Sequence, residues 1–365
     1  MTWRTDCRHF EGDRPCRISR QCRGCPGYQA WKGRCLIIKL AARGDVLRTT
    51  PLGLALKQTE PNLQLTWLTD PDAAPLLEHN GSIDRLLCYG PDSLAQLSAE
   101  SFDRIICLDK EPRAAGLASI LEADRKSGFG WDPLGCLIPL DRNSRHIYDL
   151  GLSDRLKFKV NQKSYQQLVI EAAGLEYRRQ PYQYRLTGEE TEWAGRYLKK
   201  LLGKKAGLPL IGLNTGVGRA FPTKAWPERH FISLAREIRR RKMGLALVLG
   251  GPDEKSLVAE IARAAPGAFA VSCGLTLRQF GALVSRLDLL VSADSLAMHL
   301  GIALERKVVA LFGPTCSQEI DLYGRGEKLS AGADCAPCYR RECPETKCLS
   351  GLEPERVLGS VARCL

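Results

Sequence analysis

From residue 35 onward, short apolar runs alternate with longer amphipathic stretches. The runs CLIIKL (35–40), LQLTWLT (63–69), RLLCY (85–89) and FDRIICLD (102–109) are too short for isolated helices and predict strands. Between them, 50–59 and 91–100 predict helices. Strand then helix, repeated, predicts parallel βαβ units with both sheet faces covered. Residues 128–190 are mixed, with GFGWDPLGCLIPL as a loop-rich piece and SYQQLVIEAAGL as a helix ended by Gly174. The alternation then resumes with strands at PLIGLN (209–214), LALVLG (245–250), AFAVS (268–272), LDLLVSA (287–293) and KVVALFG (307–313). A helix follows KAWPERHF. Pro227 suits its first turn, and Phe231, Leu234, Ala235 and Ile238 fall on one face. The RRRK run at 239–242 closes that helix, where cations complement the macrodipole, and reads as a solvated helix end rather than a nucleic-acid patch. Two such halves predict an α/β chain of two Rossmann-like domains, at 35–185 and 186–330, facing a central cleft. Cysteine-rich extensions at 1–34 and 331–365 flank them.

Length and composition agree with two domains. The chain has 365 residues, beyond the ~250 at which single cores usually stop growing, and its 44% hydrophobic and 26% charged residues are ordinary for a globular protein. No apolar run nears the roughly 18 residues of a spanning helix, and the start lacks a secretory h-region, so a cytoplasmic chain is expected. The formal charge of +12 attracts polyanions in general without choosing among nucleic acid, diphosphates and anionic lipid. It is not concentrated in the C-terminal tail. Residues 1–34 hold eight Lys/Arg against three Asp/Glu, whereas 331–365 hold five of each.

Chemistry gathers at the predicted strand ends. In AARGDVLRTTPLG, Asp45 stands where a helix begins, and two readings stay open: a helix cap, or a carboxylate facing the cleft as general base. In LVSADSLAMHLGIAL, Asp294 and Ser295 precede the helix 296–304, whose free N–H groups suit an anion, and His299 lies one turn along. Asp294 would repel a diphosphate and suits sugar hydroxyls or a cap; His299 alone would more often be a core or surface histidine. In GLNTGVGRAFPTKAWP, Gly216 and Gly218 admit a phosphate to the backbone and Lys224 offsets its charge. In LGGPDE, Glu254 could bind a ribose diol or sit in the first turn of a helix.

Together, in this order and spacing, GDVLRTTP, NTG with KAWP, LGGPDE, ADSLAMHLGIAL and ALFGPT resemble the bacterial ADP-heptose:lipopolysaccharide heptosyltransferases, glycosyltransferase family 9. The resemblance spans about residues 35–330. It implies the GT-B fold and inverting transfer of heptose from ADP-heptose to a lipopolysaccharide inner-core acceptor. The first domain would then be the acceptor side and the second the nucleotide-sugar side. Asp45 would be the general base. Thr215, Gly216, Lys224, Ser295 and Leu296 would surround the diphosphate, Glu254 the ribose, and Asp294 and His299 the sugar and phosphate edge. Lys39 and Arg43 are candidates for an acidic acceptor, with simple surface charge as the equal alternative. No catalytic metal or other cofactor is implied, and a peripheral position at the inner face of the inner membrane would bring the enzyme to its glycolipid. Thr215, Ala225 and Leu296 stand where the family usually has Pro, Arg and Gly, which bears on the choice of sugar nucleotide. A related glycosyltransferase with another donor or a protein acceptor is the alternative.

The fifteen cysteines raise a different class. Cys7, Cys16, Cys22 and Cys25, and Cys335, Cys338, Cys343 and Cys348, are two candidate structural sites for zinc or iron. Cys35, Cys88, Cys107, Cys136 and Cys273 read as small core hydrophobes. A zinc-dependent nucleic-acid binder is disfavoured, because the gap from Cys338 to Cys343 is far shorter than the ~12 residues of a finger. The tail reads instead as a staple for the C-terminal helix. A dehydrogenase is disfavoured by the absence of G-x-G-x-x-G after the first strand.

Overall fold

The apolar runs become strands buried on both faces, and the polar residues that follow them turn the chain out of the sheet. The computed structural model describes residues 3–14, 16, 18, 19, 21–203 and 207–365. β1 (Gly33–Ile38), β2 (Leu63–Thr69), β3 (Arg85–Cys88), β4 (Phe102–Cys107), β5 (Ala123–Trp131) and β6 (Leu137–Pro139) form one sheet in the order β3-β2-β1-β4-β5-β6. Its neighbours are parallel except β5 and β6. β7 (Leu210–Asn214), β8 (Leu245–Leu249), β9 (Phe269–Ala270), β10 (Leu289–Ala293), β11 (Lys307–Phe312) and β12 (Gly326–Ser330) form a second, parallel sheet in the order β12-β11-β10-β7-β8-β9. Both orders reverse beside their first strand, between β1 and β4 and between β7 and β10. A crevice opens at the carboxyl ends of those strands.

Six helices matter for the site. α1 (Arg43–Thr49) leaves β1 and passes through Thr50 into α2 (Pro51–Thr59). α3 (Tyr165–Ala172) is capped by the Ser164 hydroxyl, which accepts the Gln167 N–H, and Gly174 follows it at φ +74°. α4 (Glu228–Arg240) buries Phe231, Leu234, Ala235 and Ile238, the face its spacing predicts. α5 (Leu296–Ala303) follows β10, and α6 (Pro354–Cys364) packs on α4 and β11.

Three expectations change. The loop-rich piece at 128–140 is a strand ending and a return: Gly128–Trp131 complete β5, and Leu137–Pro139 pair antiparallel with it. Gly128, at φ +87°, passes so close to β4 that a Cβ would lie 1.8 Å from the Cys107 carbonyl oxygen. Cys35, Cys107 and Cys273 are buried, and burial pushes the first two thiols up to about 12, but Cys88 at the end of edge strand β3 and Cys136 beside the β5–β6 turn are exposed. The tail is held by apolar contact. Leu349, Leu352, Val357 and Val361 are fully buried in the core of the second sheet, each contributing about 1.5–3 kcal/mol. Leu349 lies so close to Gly313 that a Cβ there would stand 1.6 Å from it, and the Trp226 indole N–H donates to the Leu352 carbonyl at 2.9 Å.

Candidate active site

The end of β1 launches α1 with Asp45 in its first turn. Ala42, not Asp45, occupies the cap position, so the cap reading of this carboxylate falls away. The Asp45 side chain keeps 39% of its surface exposed, and Arg48 Nε approaches Oδ1 at 2.9 Å. That Nε makes no hydrogen bond, so the contact is one of charge. Burial alone would raise the carboxyl, but Arg48, Lys39 and His299 outweigh it and hold Asp45 below its ordinary value. Arg48 is itself fixed by the Tyr165 ring of α3, 3.7 Å beneath its guanidinium, and lies 3.8 Å from Glu319.

Lys39 is placed differently from the expectation. Its side chain is buried, with Nζ 2.5 Å from Asp109 Oδ1, while Asp109 Oδ2 accepts the backbone N–H groups of Leu40 and Ala41. It secures the turn out of β1 and offers no free cation to an acceptor, because Asp109 already pairs it in a buried site. Arg43 is exposed and pairs with Asp72 at 3.0 Å.

α1 meets α5 where Gly44 faces His299. A Cβ on Gly44 would lie 2.9 Å from His299 Cδ2 and 3.8 Å from the Leu296 Cα. The ring cannot yield easily. It is buried, stacked on Tyr182, and its Nδ1 is 3.2 Å from the Tyr182 hydroxyl. Gly44→Ala should therefore separate the helices, lowering stability by about 1–3 kcal/mol and turnover by roughly tenfold or more. Thermal unfolding beside a transfer assay checks this, and wild-type values in both would contradict the close fit.

Burial lowers the His299 pKa to about 4, despite Asp294 Oδ1 at 3.8 Å from Nε2. The folded state holds this imidazole neutral, whereas the unfolded chain protonates it near 6.5. Its stability contribution is complete above 6.5 and is lost as the pH falls toward 4. His230, also lowered by burial, acts in the same direction. The melting temperature should fall over that window, and less steeply in His299→Gln; equal slopes would remove His299 as a cause.

The second sheet supplies the rest. Lys224 Nζ donates to Asp294 Oδ2 at 3.1 Å and to its carbonyl at 3.2 Å. Burial would raise the Asp294 carboxyl, yet Lys224, His299 and Arg48 hold it down. Ser295 caps α5 by position, but its hydroxyl makes no cap bond and instead meets Ser292 Oγ at 3.0 Å and Asn214 Nδ2 at 3.2 Å. The N–H groups of Leu296 and the next residues thus open the helix without a side-chain cap. Thr215 turns inward, its hydroxyl donating to the Leu249 carbonyl at 2.9 Å. Glu254 Oε2 accepts the Gly251 N–H at 2.8 Å and also crowds Gly216, where a Cβ would lie 3.3 Å away. The first-turn role is therefore filled by one carboxylate oxygen.

The structure thus gathers Asp45, Asp294, His299 and Lys224 at the meeting of the two sheets' carboxyl ends. It adds residues the sequence reading left unassigned. Asn214, buried at the end of β7, spans Gly216 O, Ser292 and Ser295. Arg48 had a signal in its i+3 spacing from Asp45. Tyr182 and Glu319 had none, since tertiary packing alone brings them here.

The cysteine clusters carry the remaining expectation. All are free thiols, and among the described residues no three His, Cys, Asp or Glu side chains are grouped to hold a metal ion. Among the described residues a zinc or iron site is therefore not shown at Cys7, Cys16, Cys22 and Cys25 or at Cys335, Cys338, Cys343 and Cys348. Cys348 is buried with the tail leucines, whereas Cys335 and Cys343 are exposed.

Comparison with known proteins decides the family. Residues 93–349, more than half of the chain, match the profile of glycosyltransferase family 9 (heptosyltransferase). The chain belongs to this family. It is a glycosyltransferase. Lipopolysaccharide heptosyltransferase 1 of Pseudomonas aeruginosa is 24% identical over 332 residues, covering 85% of this chain and 87% of its own. A family 9 glycosyltransferase from Veillonella parvula superposes with a TM-score of 0.74 at 21% identity, covering 91% of this chain and 97% of its own. An E. coli heptosyltransferase solved with ADP-2-deoxy-2-fluoro heptose superposes with a TM-score of 0.58 at 18% identity, covering 91% of this chain and all of its own. The two-sheet architecture is the GT-B arrangement of these family 9 enzymes.

Proposed function

We propose that this family 9 enzyme transfers heptose from ADP-heptose to an inner-core sugar of lipopolysaccharide, with inversion. The observation that carries the reading is an accessible, ionised Asp45 facing the uncapped start of α5 beside Lys224. The diphosphate would lie against the α5 N–H groups and Lys224, which stabilise negative charge as it develops on the leaving group. Asp45 would take the proton of the acceptor hydroxyl as its oxygen attacks the anomeric carbon and the bond to the diphosphate breaks, releasing ADP. Glu254 keeps one oxygen for the ribose, and Asp294 and His299 lie at the sugar and phosphate edge. The first sheet would carry the acceptor and the second the donor. Among the described residues no helix is long and apolar enough to cross a membrane, so the glycolipid would be met at the membrane surface.

Acceptor-dependent release of nucleoside diphosphate tests the reading. The purified chain is given heptose-deficient lipopolysaccharide and ADP-heptose, UDP-glucose or GDP-mannose in turn. ADP-heptose should be turned over fastest. Faster turnover of another donor would replace the sugar nucleotide while keeping the reaction class.

A further inference from the structure

Arg48 stands between two carboxylates. Asp45 Oδ1 lies 2.9 Å from its Nε, and Glu319 Oε2 lies 3.8 Å from its Nη1. Glu319 follows β11 and is buried, and its Oε2 accepts the Tyr339 hydroxyl at 3.4 Å. Tyr339 comes from the cysteine-rich tail and is held from several sides. Its N–H donates to the Pro314 carbonyl at 2.9 Å, and its ring stacks on Phe158 at 5.6 Å with 1° between the planes. Phe221 meets the same ring edge-on at 6.4 Å, and Lys157 Nζ lies 3.6 Å from its centre. Phe158 follows the first sheet in the chain, whereas Phe221 stands on the Lys224 loop of the second. The tail therefore sets one hydroxyl, at the seam of the two halves, onto one buried carboxylate.

A guanidinium with a single anionic partner lowers that partner's basicity in full; a second carboxylate on its other side offsets part of the charge. We infer that Glu319 is a positioning residue that tempers Arg48, leaving Asp45 ionised yet basic enough to take the acceptor's proton, and that Tyr339 fixes Glu319 in place. This rests on Asp45 as the base. The other groups facing Asp45 include Lys39, Tyr165, His299 and Asp294, and those facing Glu319 include Lys110 and Cys316.

The test combines turnover of ADP-heptose with ¹³C NMR titration of the Asp45 carboxyl carbon. Glu319→Gln should move the Asp45 midpoint below the wild-type value and lower kcat about threefold, with the donor KM unchanged. Glu319→Asp should restore both, and Tyr339→Phe should act in the same direction more weakly. In an Arg48→Gln background, Glu319→Gln should change neither quantity. An unmoved midpoint and kcat in Glu319→Gln, or the same fall without Arg48, would overturn the inference. Wild-type turnover by Asp45→Asn would instead remove the base assignment, and the NMR midpoints would still report whether Glu319 acts on Asp45 through Arg48.

Discussion

Asp45→Asn is expected to cut transfer by roughly 10²- to 10⁴-fold while ADP affinity stays at the wild-type value. The substitution keeps the side chain's size and removes only its charge. The fold should tolerate it, because Arg48 retains Glu319 and its seat over Tyr165. Asn214, Ser292 and Ser295 hold one another without Asp45, so that cluster keeps its contacts. Calorimetric titration with ADP beside a transfer assay separates the two quantities. Equal turnover by the variant would sink the base assignment, and loss of ADP binding would show that Asp45 serves the donor.

Lys224→Met has the second largest expected effect. If Lys224 Nζ stabilises charge on the leaving diphosphate, its removal should cost about 10²- to 10³-fold in kcat. A second consequence follows from its place in the structure. Asp294 is largely buried and Lys224 is its nearest ion-pair partner, so the single variant leaves that carboxylate with only Arg48 and His299 nearby, a loss approaching about 3 kcal/mol. Adding Asp294→Asn should recover much of the stability and little of the activity. Thermal unfolding and single-turnover kinetics on both variants check this. Recovery of activity with stability would mean that Lys224 serves the fold alone.

Much of the fold was legible because a parallel strand buried on both faces must be a continuous apolar run. β2 matches its predicted bounds, and β1, β4, β7, β8, β10 and β11 differ at their ends by a residue or two. The elements that escaped lie at a sheet edge or beside one. β5 begins ADRKS and β12 reads GEKLS, polar sequences that need no apolar code where one side meets water. The candidate site was legible wherever a strand end carried an uncommon residue type, as with Asp45, Asp294 and Lys224. It was misread at Lys39, where proximity in sequence to Asp45 suggested a free cation for the acceptor but a buried Asp109 already pairs the side chain. It was incomplete at Arg48, whose i+3 spacing from Asp45 was its one signal, and at Asn214 and Glu319, whose partners come from segments far apart in sequence. The tail cysteines drew a metal reading from their spacing, which left unread the apolar packing of Leu349 and Leu352 that fastens the segment.

The proposed reaction moves a heptose from its nucleotide onto a lipopolysaccharide core. Mass spectrometry of heptose-deficient lipopolysaccharide, incubated with ADP-heptose and the purified chain, tests it most directly. The acceptor should gain the mass of one heptose in step with ADP release, and should gain nothing with Asp45→Asn. ADP release without any gain in acceptor mass, or an unchanged acceptor with no ADP released, would contradict it.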